Sequence, residues 1–198
     1  MRLLFLAFAL LLIFYTTNAQ TRFGLKGGIG ASYIKSDNNK LRDFDKARTS
    51  GFFGATLEMF ANKRFSIQPE VGYAHEVATE TYYGSLLTLG YIQLPVLLKY
   101  TMPINSVSFY LGPQVNFLTK ATLKLNGQSS NIKDDVAQTD FGVVAGIGYV
   151  GQKTPISFDI RAYQGLINVF KDEFEDGTRS RNVVISATLG YVWGSSKK

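Results

Sequence analysis

Eight stretches of the chain alternate apolar side chains with small or polar ones at period two, and the connections between them alternate short and long. The last stretch is the clearest. Val183, Ile185, Ala187, Leu189, Tyr191 and Trp193 are apolar, while Asn182, Ser186, Thr188 and Gly190 between them are polar or small. A strand sends successive side chains to opposite faces, so one face of each stretch is apolar and the other is not.

The other stretches repeat the pattern. Phe23, Leu25, Ile29, Ala31 and Tyr33 share a face in the first; Phe53, Ala55, Leu57 and Met59 do so in the second. The third begins at Phe65, and the fourth runs from about Thr88 to Tyr100. The fifth covers Val107 to about Leu118, the sixth Asp140 to Tyr149 and the seventh Ile156 to about Gln164. Most approach the roughly 9–11 residues that a tilted strand needs to cross a bilayer.

Short connections at Ala61–Arg64, Thr101–Ser106 and Gly151–Pro155 contain Asn, Gly or Pro, the residues of tight turns. Lys35–Ser50, Val77–Leu87, Thr119–Thr139 and Ile167–Ser180 are longer and mostly polar. An even strand number, with short turns at one end and long loops at the other, is the pattern of an outer-membrane barrel. The fold class expected is all-β: an eight-stranded antiparallel up-and-down transmembrane β-barrel. A secreted β-sandwich also has period-two strands. However, the faces opposite the apolar ones carry Gly, Gln, Asn and charges, which would make a poor sandwich core.

The first residues support export. Met1-Arg2 precedes the apolar run Leu3–Tyr15, and Thr17-Asn18-Ala19 ends it with small residues before Gln20. That arrangement reads as a cleaved signal peptide over 1–19, leaving 20–198 as the barrel domain. The run is short for a membrane-spanning helix of roughly 20 apolar residues. With no cysteine in the chain, disulfides, thiolate ligands and a cysteine nucleophile are all excluded. The expected location is the cell outer membrane, with both mature termini in the periplasm.

Aromatic residues make up 14% of the chain, with 11 Tyr and 15 Phe, which suits strands and interfacial girdles. The net charge of +6 does not point to nucleic acid, because the basic residues are scattered over loops and termini and form no stripe. They suit solubility and attraction to anionic headgroups.

The residues that would face inward form the candidate site. Lys26, Lys99 and Arg161 balance Glu58, Glu70 and Asp159, and Gln68, Gln93, Gln114 and Asn116 join them. Eight strands enclose a space just wide enough to be filled by side chains. Charges buried there must be paired, so a balanced set suits a closed polar plug. A proton or ion path is the functional alternative.

Chemistry elsewhere is sparse. His75 is the single histidine; a rim His75–Ser85 pair would be the one conceivable catalytic arrangement, and a solvated interface residue is the plainer reading. No catalytic, cofactor or metal residues are assigned, and no cofactor is expected. Gly27-Gly28-Ile29-Gly30 lies inside a strand and lacks a following Gly-Lys-Ser/Thr, so it is no phosphate loop. The acidic stretch with Asp172, Glu173, Glu175 and Asp176 lacks calcium-loop spacing.

The whole mature chain resembles the PorT-like family of Gram-negative outer-membrane β-barrels. Phe23-Gly24-Leu25-Lys26-Gly27-Gly28, Tyr91-Ile92-Gln93-Leu94-Pro95-Val96-Leu97-Leu98-Lys99-Tyr100, Tyr110-Leu111-Gly112-Pro113 and Gly165-Leu166-Ile167-Asn168 carry the resemblance. It implies a single outer-membrane barrel. The name-giving member assists protein export, a role that fold membership does not transfer. One departure is the terminus: Tyr191 and Trp193 are followed by Gly194-Ser195-Ser196-Lys197-Lys198, where such barrels usually end on an aromatic residue.

The functional expectation is therefore a non-enzymatic outer-membrane protein with a structural, adhesive or secretion-accessory role. Its expected partners are outer-membrane lipid, lipopolysaccharide, and a protein held through the outer loops 35–50, 119–139 and 167–180. The alternatives are a narrow solute channel, a lipid A-modifying enzyme and a secreted sandwich.

Overall fold

A computed structural model describes residues 21–36, 46–79, 85–103, 105–125, 127–169 and 180–194. The expected signal peptide lies outside these residues. Nine strands are described: β1 (Thr21–Ser36), β2 (Lys46–Phe60), β3 (Phe65–Thr79), β4 (Leu86–Thr101), β5 (Val107–Leu125), β6 (Gln128–Asn131), β7 (Thr139–Val150), β8 (Ile156–Gly165) and β9 (Ser180–Trp193). Eight of them close a barrel in chain order. β1 seals it by pairing antiparallel with β9, from Phe23 opposite Trp193 to Ser36 opposite Ser180. β4 pairs directly with β5, and β6 is an added hairpin partner on β5.

Period-two alternation builds this wall. Along β4, Ile92, Leu94, Val96 and Leu98 are exposed, while Gln93, Pro95, Leu97 and Lys99 are buried. The exposed rows form a continuous apolar belt. At the short-turn end Phe65, Tyr100 and Phe109 stand side by side across three strands, with the Phe65 and Tyr100 rings 5.2 Å apart. At the long-connection end Phe53, Tyr73, Ile92 and Phe117 form the matching row. Two aromatic-rich levels around an apolar band are the girdles of a membrane barrel.

The short turns close as the sequence implies. Asn62 Oδ1 accepts from the backbone N–H of Arg64 and of Phe65, at 2.8 and 2.9 Å. Three prolines mark interruptions in the ladder. The pairing skips two residues beside Pro69, beside Pro95 and beside Pro113, on adjacent strands β3, β4 and β5. Proline has no N–H to give a ladder, so these steps fall where the strands are already loosened.

The strands are longer than the alternation alone suggests, and the connection expected at Thr119–Thr139 needs correction. β5 runs on to Leu125 and turns back as β6. The reason is a bulge. Tyr91 pairs with Leu118 and Gly90 with Lys120, which leaves Thr119 as an extra residue. Every side chain beyond it changes face, so the alternation looks finished when it has only been re-phased. The connections expected at Lys35–Ser50 and Val77–Leu87 likewise give up residues to β1 to β4.

Candidate functional site

The inner face of the wall gathers the polar residues into one network. Glu70, on β3, lies at its centre with a fully buried side chain. It accepts from Lys26 Nζ on β1 at 2.6 Å and from Gln68 Nε2 at 2.6 Å. Arg161, on β8, reaches it across the lumen at 2.9 and 3.4 Å, one nitrogen on each carboxylate oxygen. The guanidinium carbon also lies 5.7 Å from the Phe52 ring centroid and 5.6 Å from that of Tyr110, so its faces meet aromatic surface.

A second hub lies nearer the short turns. Glu58 pairs with Arg22 at 2.6 Å and with Lys99 at 3.1 Å, and it accepts from Ser66 Oγ at 2.7 Å. Lys99 also donates to Gln68 Oε1 at 2.8 Å, which links the two hubs. Asp159 stands apart from these pairs and accepts from Thr188 Oγ1 at 3.4 Å. Lys26, Glu58, Glu70, Gln93, Lys99, Asp159 and Arg161 are all buried on the inner face.

Three inward charges escaped the sequence reading: Arg22, Glu76 and Asp140. Each shares the parity of residues already assigned inward (Arg22 with Lys26, Glu76 with Glu70, Asp140 with Gly142), so strand-end parity was the available signal. Glu76 accepts from Gln93 Nε2 at 3.1 Å and from Asn182 Nδ2. Asp140 accepts from the Tyr163 hydroxyl at 2.7 Å and from Asn116 Nδ2 at 3.4 Å. The ion pairs around Glu58 and Glu70 lie in the half nearer the short turns. In the other half Glu76 and Asp140 accept from neutral donors.

The inner face is not wholly polar, which corrects the expected simple division. Leu97, Tyr110, Val144 and Tyr163 form a buried cluster inside the wall, with Val184 packed against it. Towards the long connections Leu87, Leu89, Tyr91, Leu118 and Ala121 form an apolar plug. Two residues from connections complete it. Val136 is fully buried and Val169 nearly so, joined by a hydrogen bond from Ala137 N to Val169 O at 2.8 Å. Val183, expected on the lipid face, is also buried. Two internal cavities of about 30 and 20 Å3 lie among these side chains, with room for a water or two each.

This arrangement stabilises one packing of the wall. Buried ion pairs need complete partners, since an uncompensated buried charge costs several kcal/mol. Arg161→Ala is expected to lower the unfolding free energy in detergent by about 2 kcal/mol. Arg161→Lys should recover only part, because an ammonium lacks the fork that spans both oxygens of Glu70. An unchanged unfolding midpoint for Arg161→Ala would contradict the network.

His75 and Ser85 do not form a site of the kind considered above. His75 is exposed on the outward face, whereas Ser85 is buried. No group of three or more His, Cys, Asp or Glu suited to a metal occurs among the described residues. Most of the 35–50 loop and the acidic stretch at 172–176 lie outside those residues.

Residues 18–171 match the family model described as outer membrane protein beta-barrel domain. No curated protein matches the chain. Among solved structures, Neisserial surface protein A is similar with a TM-score of 0.58 at 16% identity, over 85% of this chain and 96% of that one. Ail, the attachment invasion locus protein of Yersinia pestis, has a TM-score of 0.48 at 14% identity, over 88% and 99%. The N-terminal beta-barrel domain of Pseudomonas aeruginosa OprF has 0.45 at 11% identity, over 89% and 100%. The likeness to the Neisserial protein is one of fold: a closed eight-stranded antiparallel barrel.

Proposed function

Because the chain belongs to the family of outer membrane protein beta-barrel domains, we propose that it is a closed, non-conducting barrel of the cell outer membrane, without enzymatic activity. It acts through contacts that its long connections make with a protein partner, in a structural, adhesive or secretion-accessory role. The connections concerned are 35–50, 119–139 and 167–180. In this reading both mature termini lie in the periplasm, beside the short turns, and the outward rim meets lipopolysaccharide.

The observation that carries the proposal is the filled lumen. Ion pairs around Glu58 and Glu70 occupy one half, and the apolar plug around Tyr91 and Val136 occupies the other. A transport path would have to break several buried pairs and displace packed side chains. What remains to interact is the loop end, where a rigid scaffold commonly carries recognition.

Conductance tests it. Refolded protein inserted into planar bilayers should give no discrete current steps, and insertion should be verified by protease protection in vesicles. Reproducible steps that persist across preparations would replace this reading with that of a narrow solute channel.

A further inference from the structure

The outward face at the long-connection end carries a feature that the lumen does not explain. Gly51, His75, Gly90 and Lys120 form one row across β2, β3, β4 and β5. That row lies one outward step beyond Phe53, Tyr73, Ile92 and Phe117, the last aromatic-rich row of the apolar belt. It therefore occupies the level where hydrocarbon gives way to headgroups.

Lys120 is there because of the bulge. In β5 the even-numbered residues from Ser108 to Leu118 face inward, and without Thr119 as an extra residue Lys120 would point into the apolar plug. With it, Ala121 takes the inward place and Lys120 and Lys124 are exposed. The Thr119 hydroxyl donates to Gly90 O at 2.9 Å and fixes the step. Gly90 forms the floor of the patch. A Cβ there would stand 2.5 Å from the Tyr73 hydroxyl, 3.0 Å from Thr119 Oγ1 and 3.3 Å from Lys120 Cβ. The missing side chain lets the Tyr73 hydroxyl reach across β4 towards the lysine.

We propose that this patch, formed by Tyr73, His75 and Lys120 over Gly90, with Lys124 two outward steps further along β5 opposite Leu86, binds a phosphate of an anionic glycolipid headgroup. The site offers ammonium groups and a hydroxyl donor directly above apolar and aromatic surface that acyl chains would cover. A lipid phosphate fits that pairing and a free anion uses only half of it. The proposal rests on the reading of the chain as an outer-membrane barrel.

The test is native mass spectrometry of the refolded, detergent-solubilised full chain. It is titrated with diphosphoryl lipid A, with its dephosphorylated form and with inorganic phosphate. Diphosphoryl lipid A should bind, and the double variant Lys120→Ala/Lys124→Ala should bind roughly twentyfold more weakly. Lys153→Ala, in a short turn at the opposite end, should bind as the parent does. Gly90→Ala, which keeps every charge but displaces the Tyr73 hydroxyl, should also weaken binding. Equal binding by the parent and the double variant would overturn the proposal. So would equal binding of the dephosphorylated lipid, or displacement of lipid A by equimolar inorganic phosphate. Failure of the barrel reading itself is separate, since it appears as loss of membrane fractionation in the parent protein.

Discussion

Replacing Glu70 by alanine is expected to lower the unfolding free energy in detergent by about 3–5 kcal/mol, which would be the largest loss at any single lumen position. Glu70 holds Lys26 at 2.6 Å and Arg161 at 2.9 Å, and both cations are buried. Deleting the carboxylate leaves two like charges buried side by side. Glu70→Gln keeps the shape but not the charge and should recover little. A second change that removes one stranded cation, Arg161→Met, should recover much of the loss in the Glu70→Ala background. The sum of the single effects would then exceed the effect of the pair. Urea titration followed by the heat-shifted band measures all of these. A loss under about 1 kcal/mol for Glu70→Ala would mean that the lumen admits enough water to solvate both cations.

Gly112→Ala should be nearly as damaging for a different reason. A Cβ at Gly112 would stand 1.9 Å from the backbone oxygen of Val96. The neighbour is main chain, so no rotamer change relieves the clash, and β4 and β5 would have to separate. That separation would fall where the ladder already skips residues beside Pro113 and Pro95. The expected cost is about 3 kcal/mol or more, at the upper end of overpacking effects. Gly51→Ala is the control, because nothing lies within 4 Å of a Cβ there. It should fall within about 0.5 kcal/mol of the parent. Similar unfolding midpoints for the two variants would show that β4 and β5 are not held as closely as the backbone positions require.

These effects depend on features that differ in how plainly the sequence displays them. The eight barrel strands are readable because a lipid-facing wall needs an apolar residue at every second place, as in Ile92, Leu94, Val96 and Leu98. The charged partners are readable because alternation assigns Lys26, Glu70 and Arg161 to the other face. Their pairing is not, since Arg161 and Glu70 lie on strands that do not touch and meet only across the lumen. Arg22, Glu76 and Asp140 were missed for a simpler reason: they sit at strand ends, where alternation was not carried far enough.

The length of β5 escaped because a single extra residue, Thr119, inverts the parity of everything after it. The two apolar clusters escaped because Tyr91 and Leu97 contradict a polar-interior rule, and because Val136 and Val169 come from connections that alternation does not describe. Tertiary closure decides those positions, and local pattern holds no record of it.

Everything above depends on the apolar face of this sheet meeting lipid and on the sheet being closed. The most direct measurement is electrophoresis of the outer-membrane fraction with and without boiling. A closed barrel keeps its hydrogen-bonded wall in detergent until it is heated. The expected result is a membrane-bound band whose mobility changes on boiling, with the Glu70→Ala band shifting at a lower temperature. A soluble band with no shift would contradict it, and the apolar faces would then have to form the core of a secreted sandwich.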